Sequence, residues 1–171
     1  MIQLKTDPAD AAPRLTTERP ADGPPASALI DRAFGPGRFT KVSERVREFA
    51  DFAPELSVCA WRGERLVGVV RQWRVRCGAQ PVVFLGPIAV AAEERSGGVG
   101  AMLVEQACAA ARAAGEAAIV LVGDEPYFGR FGFSADRAKA VQLPGPVDQH
   151  RVLAAAFTAE GEALSGAIRP L

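Results

Sequence analysis

The chain has no excess charge of either sign. Lys and Arg together number 20, Asp and Glu together number 20, and the formal net charge is zero. A neutral chain has no general attraction for nucleic acid or an anionic membrane, so neither is expected as a partner. Any positive potential must be local, around Arg95 or along Arg71, Arg74 and Arg76. Long apolar runs are missing too. None approaches the roughly 20 residues of a membrane span. Lys5 and Asp7 are not followed by an apolar segment, so no signal peptide is expected. Cysteine is scarce, with Cys59, Cys77 and Cys108 alone, no Cys-x-x-Cys pair and one histidine, His150. That excludes a disulfide framework and leaves no zinc ligand set. Small buried hydrophobes are the plainer reading of Cys59 and Cys108. A reducing, cytoplasmic setting is expected. Tyr127 is the only tyrosine.

What is present suits a globular protein. The 171 residues are 49% hydrophobic and 23% charged. That is a length for one domain with a real core, 1–171, with 1–13 as a loose extension. The stretch Gly86–Gly115 organises the rest. Val82–Leu85 opens a strand and Ile88-Ala89-Val90 closes it, with apolar residues on both parities, so both faces should be covered. Pro87 cannot donate to a ladder and marks a bulge or a parting of strands. After Glu93-Glu94-Arg95-Ser96-Gly97-Gly98-Val99-Gly100, apolar residues recur at helical spacing through Met102, Leu103, Ala107, Ala110 and Ala114. Gly115 suits the helix stop.

A glycine turn feeding a helix has a chemical use. The first amide N–H groups of a helix lack internal partners and carry about half a positive charge. With no side chains at Gly97, Gly98 and Gly100, a diphosphate can reach them, beside Arg95 and the Ser96 hydroxyl. A P-loop is excluded, because no Gly-Lys-Ser/Thr follows. A dinucleotide fingerprint is weakened: Leu103 stands where its third glycine belongs, although Asp124 lies near the distance of a ribose-binding acid. Coenzyme A is the third reading.

A second motif bears on that choice. Ala118–Val122 is an unbroken apolar run, hence a central strand, and Gly123-Asp124-Glu125-Pro126-Tyr127-Phe128-Gly129-Arg130-Phe131-Gly132-Phe133 follows. Arg95-x-x-Gly98-x-Gly100, after a broken strand and before a long helix, resembles the pyrophosphate motif of the GNAT N-acetyltransferase superfamily. The aromatic-x-x-x-Gly-Phe segment resembles that superfamily's short helix before its last strands. Leu85-Gly86-Pro87-Ile88-Ala89-Val90 and Leu143-Pro144-Gly145-Pro146 are similar to a branch of small bacterial acetyltransferases.

Before these motifs, Arg14–Glu18 has strand propensity, and a first helix is expected near Pro25–Phe34. A second helix is expected from Thr40, whose hydroxyl would cap it, with Val42, Val46 and Phe49 inward. The resemblance implies that this helix–loop–helix covers the acceptor pocket. Leu56–Trp61 and Leu66–Val75 read as antiparallel strands. Simple alternation puts Val67, Val69, Arg71, Trp73 and Val75 on one face and Gln72, Arg74 and Arg76 on the other. Ala140–Leu143 and His150–Phe157 read as later strands. The fold class is thus α/β (α+β), with a mixed, mainly antiparallel central sheet flanked by helices, which the resemblance also implies.

The resemblance implies a reaction: transfer of acetyl from acetyl-CoA, as co-substrate and without a metal, to an amine of a small molecule or peptide by direct attack. The cofactor-binding candidates are then Ile88, Ala89, Val90, Arg95, Ser96, Gly97, Gly98, Val99, Gly100, Phe128 and Arg130. A backbone N–H near Ile88 would polarise the thioester carbonyl. In the superfamily a tyrosine four residues before the glycine of Gly-Phe often acts as the acid; that position here is Phe128. Tyr127 is one place off, a rotation of about 100° along a helix, which should turn it from the sulfur. Tyr127 and Asp124 remain the catalytic candidates, and Arg71 and Trp73 the substrate-binding ones. An acyl-CoA-binding domain with little catalysis is the alternative. Pairing of two copies through terminal strands is common among similar folds.

Overall fold

The computed structural model describes residues 11–171. Most of the expected N-terminal extension, residues 1–10, lies outside the described residues. The chain runs through β1 (Arg14–Thr17), α1 (Gly23–Phe34), α2 (Val42–Phe49), β2 (Asp51–Phe52), β3 (Val58–Arg62), β4 (Arg65–Cys77), β5 (Gln80–Val90), α3 (Val99–Ala113), β6 (Ala118–Val122), α4 (Glu125–Phe128), β7 (Val141–Gln142), β8 (Val152–Ala156) and β9 (Gly166–Arg169). The main sheet has the order β1-β3-β4-β5-β6-β8. Its ladders are antiparallel except β5–β6, which is parallel because α3 carries the chain back between them. This is the mixed, mostly antiparallel α/β sheet that the sequence led us to expect.

Helices cover both faces. Val99, Leu103, Val104, Ala107 and Ala111 of α3 pack on Val83 and Leu85. On the other face, Val46 of α2 joins Val75, Val82 and Phe84, while Ala26, Leu29 and Ile30 of α1 meet Leu66 and Val69. Both parities of β5 are therefore buried, as its sequence requires. Alanines on α3 keep its axis near the sheet. At Gly68 the approach is closest: a Cβ there would stand 2.9 Å from Leu103 Cδ1 and Val99 Cγ1.

Two bulges interrupt the ladders of β4, and the first corrects its expected faces. Trp61 pairs with Leu66 but Ala60 with Gly68, so Val67 is an extra residue. Its insertion resets the pleat. Val67 consequently packs with the α3 cluster, while Val69 packs under α1. The second bulge lies on β5: Val70 pairs with Ile88 and Gln72 with Leu85, so Gly86 and Pro87 together oppose Arg71. Proline, lacking an N–H, falls where the ladder is irregular. Several boundaries also differ. Thr40 does not cap α2; its hydroxyl donates to Gly37 O at 2.9 Å, and Lys41 is the N-cap. β4 runs two residues past the expected Val75, to Cys77, which is buried. His150 lies in a 3-10 turn before β8 rather than in the strand.

Candidate active site

β5 and β6 pair only at Val83↔Ile119 and Phe84↔Val120. Beyond Phe84 they splay, and a cavity of about 270 Å³ opens between them. Gly86, Pro87 and Ile88 form one wall, and Leu121, Val122, Gly123 and Phe128 the other. The Phe128 ring lies against Gly123, where any Cβ would overlap it. The edge of β5 that faces β6 thus has no strand partner from Leu85 onward among the described residues, and this is where backbone donors are freed.

The turn before α3 is built to stay open. Gly98 is the N-cap, in the left-handed conformation at φ 78°, which favours glycine. Nothing lies within 4 Å of where its Cβ would be. The first intrahelical bond runs from Met102 N to Gly98 O at 3.1 Å, so the amides before it need other partners. The two acids before the turn are neutralised in place. Arg62 donates to Glu94 at 2.7 and 3.0 Å, and Arg65 pairs with Glu93. The Arg62 guanidinium holds the Glu94 carboxyl below the usual carboxylate range. Glu93 is lowered by its own backbone amide and by Arg65. Arg95 is exposed, with only its Nε near Val90 O at 3.5 Å, and has no carboxylate partner among the described residues. Ser96 and Gly97 are exposed beside it, and the Val99 side chain is in the core.

The acetyltransferase (GNAT) family model matches residues 26–133. The chain belongs to the GNAT acetyltransferase family. Its fold is similar to that of a GNAT family N-acetyltransferase (YhbS) from Escherichia coli solved in complex with CoA, with a TM-score of 0.78 and 23% identity over 97% of this chain and 93% of that one. A GNAT family acetyltransferase from Brucella melitensis, solved with acetyl-CoA, gives 0.69 and 23% identity over 93% and 96%. Arabidopsis thaliana Naa50, solved with the bisubstrate analogue CoA-Ac-MVNAL, gives 0.58 and 14% identity over 86% and 100%. No curated protein matches in sequence.

Within this GNAT fold, α4 divides its two aromatic residues. Phe128 faces the cavity. Tyr127 leans toward α3, its hydroxyl 3.2 Å from where a Cβ on Gly100 would stand. Arg130 stacks over Tyr127 at 4.5 Å and Phe131 at 4.8 Å, and forms no ion pair among the described residues. Asp124 lines the cavity, but its carboxylate accepts from Arg151 Nε at 3.2 Å and does not cap α4. Ile88 is in the wall, with Ala89 and Val90 following on β5. Arg71 is committed elsewhere: its Nη2 donates to the buried Glu18 at 2.8 Å. Trp73 Nε1 donates to Gly86 O at 2.6 Å, bracing the bulge. Arg71 and Trp73 line a second cavity, of about 340 Å³, that shares Arg38, Glu44, Arg47 and Pro87 with the first.

Those shared charged residues were not singled out from sequence. On α2 the inward residues read as apolar, and Val46 is indeed in the core. Glu44 and Arg47 lie three apart on the same short helix and turn toward the cavity. The one available signal was that spacing, since an i,i+3 charge pair shares a helix face. Among the described residues no group of three or more His, Cys, Asp or Glu could hold a metal ion, and no helix is long and apolar enough to cross a membrane.

Proposed function

We propose that this GNAT domain, residues 1–171, moves an acetyl group from acetyl-CoA to a primary amine by direct attack in a ternary complex. The observation that carries the reading is a juxtaposition: β5 runs from the cavity wall at Gly86–Ile88 to Val90, whose Cγ2 lies 3.8 Å from the Cβ position of Gly100 beside the open turn at Gly98. The neighbours solved with CoA, acetyl-CoA and a bisubstrate analogue support it.

The turn fits a diphosphate, because a Cβ at Gly98 would stand in the space the anion needs and none is there. The amides of Gly98, Val99 and Gly100 bind it, with Arg95 and Ser96 at the rim and Gly97 giving clearance. Acetyl-CoA supplies an acyl carbon already activated as a thioester. Ala89 and Val90 flank its arm, Phe128 packs against it, and Arg130 holds the Tyr127 ring in place. The Ile88 N–H donates to the carbonyl oxygen as negative charge grows there, and one such donor is worth about 100- to 1,000-fold in rate. The amine nitrogen bonds to the acyl carbon as the carbon–sulfur bond breaks. Asp124 takes the amine proton through water, and the sulfur leaves as thiolate, to be protonated by water, because the Tyr127 hydroxyl is turned to the first turn of α3.

A second reading, an acyl-CoA-binding domain with little catalysis, is favoured by Phe128 at the usual acid position. The two differ in one assay. Thiol release is measured with polyamines, amino acids, aminoglycosides and N-terminal peptides. We expect release that depends on one acceptor class. Binding of acetyl-CoA with no turnover for any acceptor sinks the enzyme reading.

A further inference from the structure

The cavity walls carry a positive surplus next to the strand break. Arg38, Lys41 and Arg47 come from the α1–α2 side and Arg151 from the β8 side. Arg151 is matched by Asp124. On the other side a single oxygen, Glu44 Oε1, accepts from both Arg38 Nη1 at 3.3 Å and Arg47 Nη2 at 2.9 Å. Arg38 also reaches the exposed Asp31 at 2.8 Å. Lys41 has no carboxylate partner among the described residues and sits 5.7 Å from the Phe34 ring centroid.

The two arginines are also well buried, their side chains 18% and 10% exposed. Their Nε atoms are buried without any hydrogen-bond partner. Arg38 has Asp31 as well, but Arg47 is buried against one carboxylate oxygen that it shares with Arg38, a poor use of charge for stability alone. Arg47 reaches the strand break. Its Nη1 lies 3.4 Å from the point a Cβ on Gly86 would occupy, at the mouth of the break.

Resting on the acetyltransferase reading above, we propose that the acceptor is a small amine carrying its own anionic group, a carboxylate or a phosphate monoester, which Arg47, Arg38 and Lys41 bind. The planar fork of Arg47 suits a two-point hold on either anion. The anion then fixes the amine beside Ile88. A cavity of about 270 Å³ suits a small molecule of this kind. A polyamine, by contrast, would meet this surplus as a like charge.

The test compares matched acceptors by thiol release: amino acids against their amides and decarboxylated amines, and O-phosphoethanolamine against ethanolamine. We expect the anionic member of each pair to have kcat/KM at least about tenfold higher. The carboxylate and phosphate arms distinguish the two sources of the anion. Arg47→Gln should raise KM for the anionic acceptor about tenfold, close the gap to the neutral one and leave KM for acetyl-CoA unchanged. Lys41→Gln, at an exposed position, should act in the same direction should Arg47→Gln fold poorly. Neutral amines or polyamines as good as the acids would overturn the proposal, as would an Arg47→Gln effect on acetyl-CoA alone. Should nothing turn over, the enzyme reading fails first, and calorimetry with CoA present still decides the anion: N-acetyl amino acids are expected to bind and their amides not to, and equal binding refutes it.

Discussion

Cys59 is fully buried below α1, and burial pushes its thiol up to about 12, with the carboxylates of Glu18 and Asp22 adding to the effect. Burial pushes Cys108 up to about 11, and Cys77 is raised for the same reason. An unfolded thiol ionises near pH 8.5. The raised folded pKa means the stability contribution is complete below that value. It is lost as pH rises toward 11 and 12, because the unfolded chain gives up protons the fold retains. We therefore expect the melting temperature of the protein to fall between about pH 9 and 11, and to fall less steeply in Cys59→Ala. Melting curves by circular dichroism check this; identical slopes would remove Cys59 from the account. The same scale shows what residue type alone does not say. Phe128 and Tyr127 are neighbours in sequence, yet one faces the cavity and the other the first turn of α3.

Elements were mostly legible. The period-3.6 pattern of α3, the unbroken runs of β5 and β6 and the glycines between them gave type, order and approximate bounds. Pro87 marked the bulge on β5, but the one at Val67 was not legible, because an extra residue leaves the local pattern of β4 looking like plain alternation. Only its ladder to β3 reveals that Val67 turns toward α3. Seating of α3 on the sheet also belongs to this scale, and it hinges on Gly68. Gly68→Val would drive atoms into Leu103 and Val99, already 2.9 Å from a Cβ. Overpacking of this kind costs about 1–3 kcal/mol. Urea denaturation should show a loss of that size with an unchanged m-value. An unmoved midpoint would mean that α3 yields freely, and its first turn would then be a poor platform for an anion.

At the scale of the whole molecule, ligand binding and folding are one equilibrium. A ligand held only by the native state stabilises it by about 2.7 kcal/mol at 100 times its Kd. Acetyl-CoA should raise the melting temperature accordingly. Gly98→Val should abolish that rise, since it both fills the turn and forces a branched residue to φ 78°. A variant that keeps the full shift would remove the turn from the binding site.

The amino-acid sequence by itself determined the order of elements, the two-sided burial of β5 and the glycine turn before α3. Each is written in local periodicity or in a backbone conformation that few residues tolerate. Tertiary structure alone decided which charges from α2 and the loop before it enter the cavity. Arg38 and Arg47 meet at one oxygen of Glu44, above a strand roughly forty residues later in the chain, and no local pattern encodes which charges converge across such a distance. That convergence depends on where α2 lies over the splay of β5 and β6, which only the packed sheet defines.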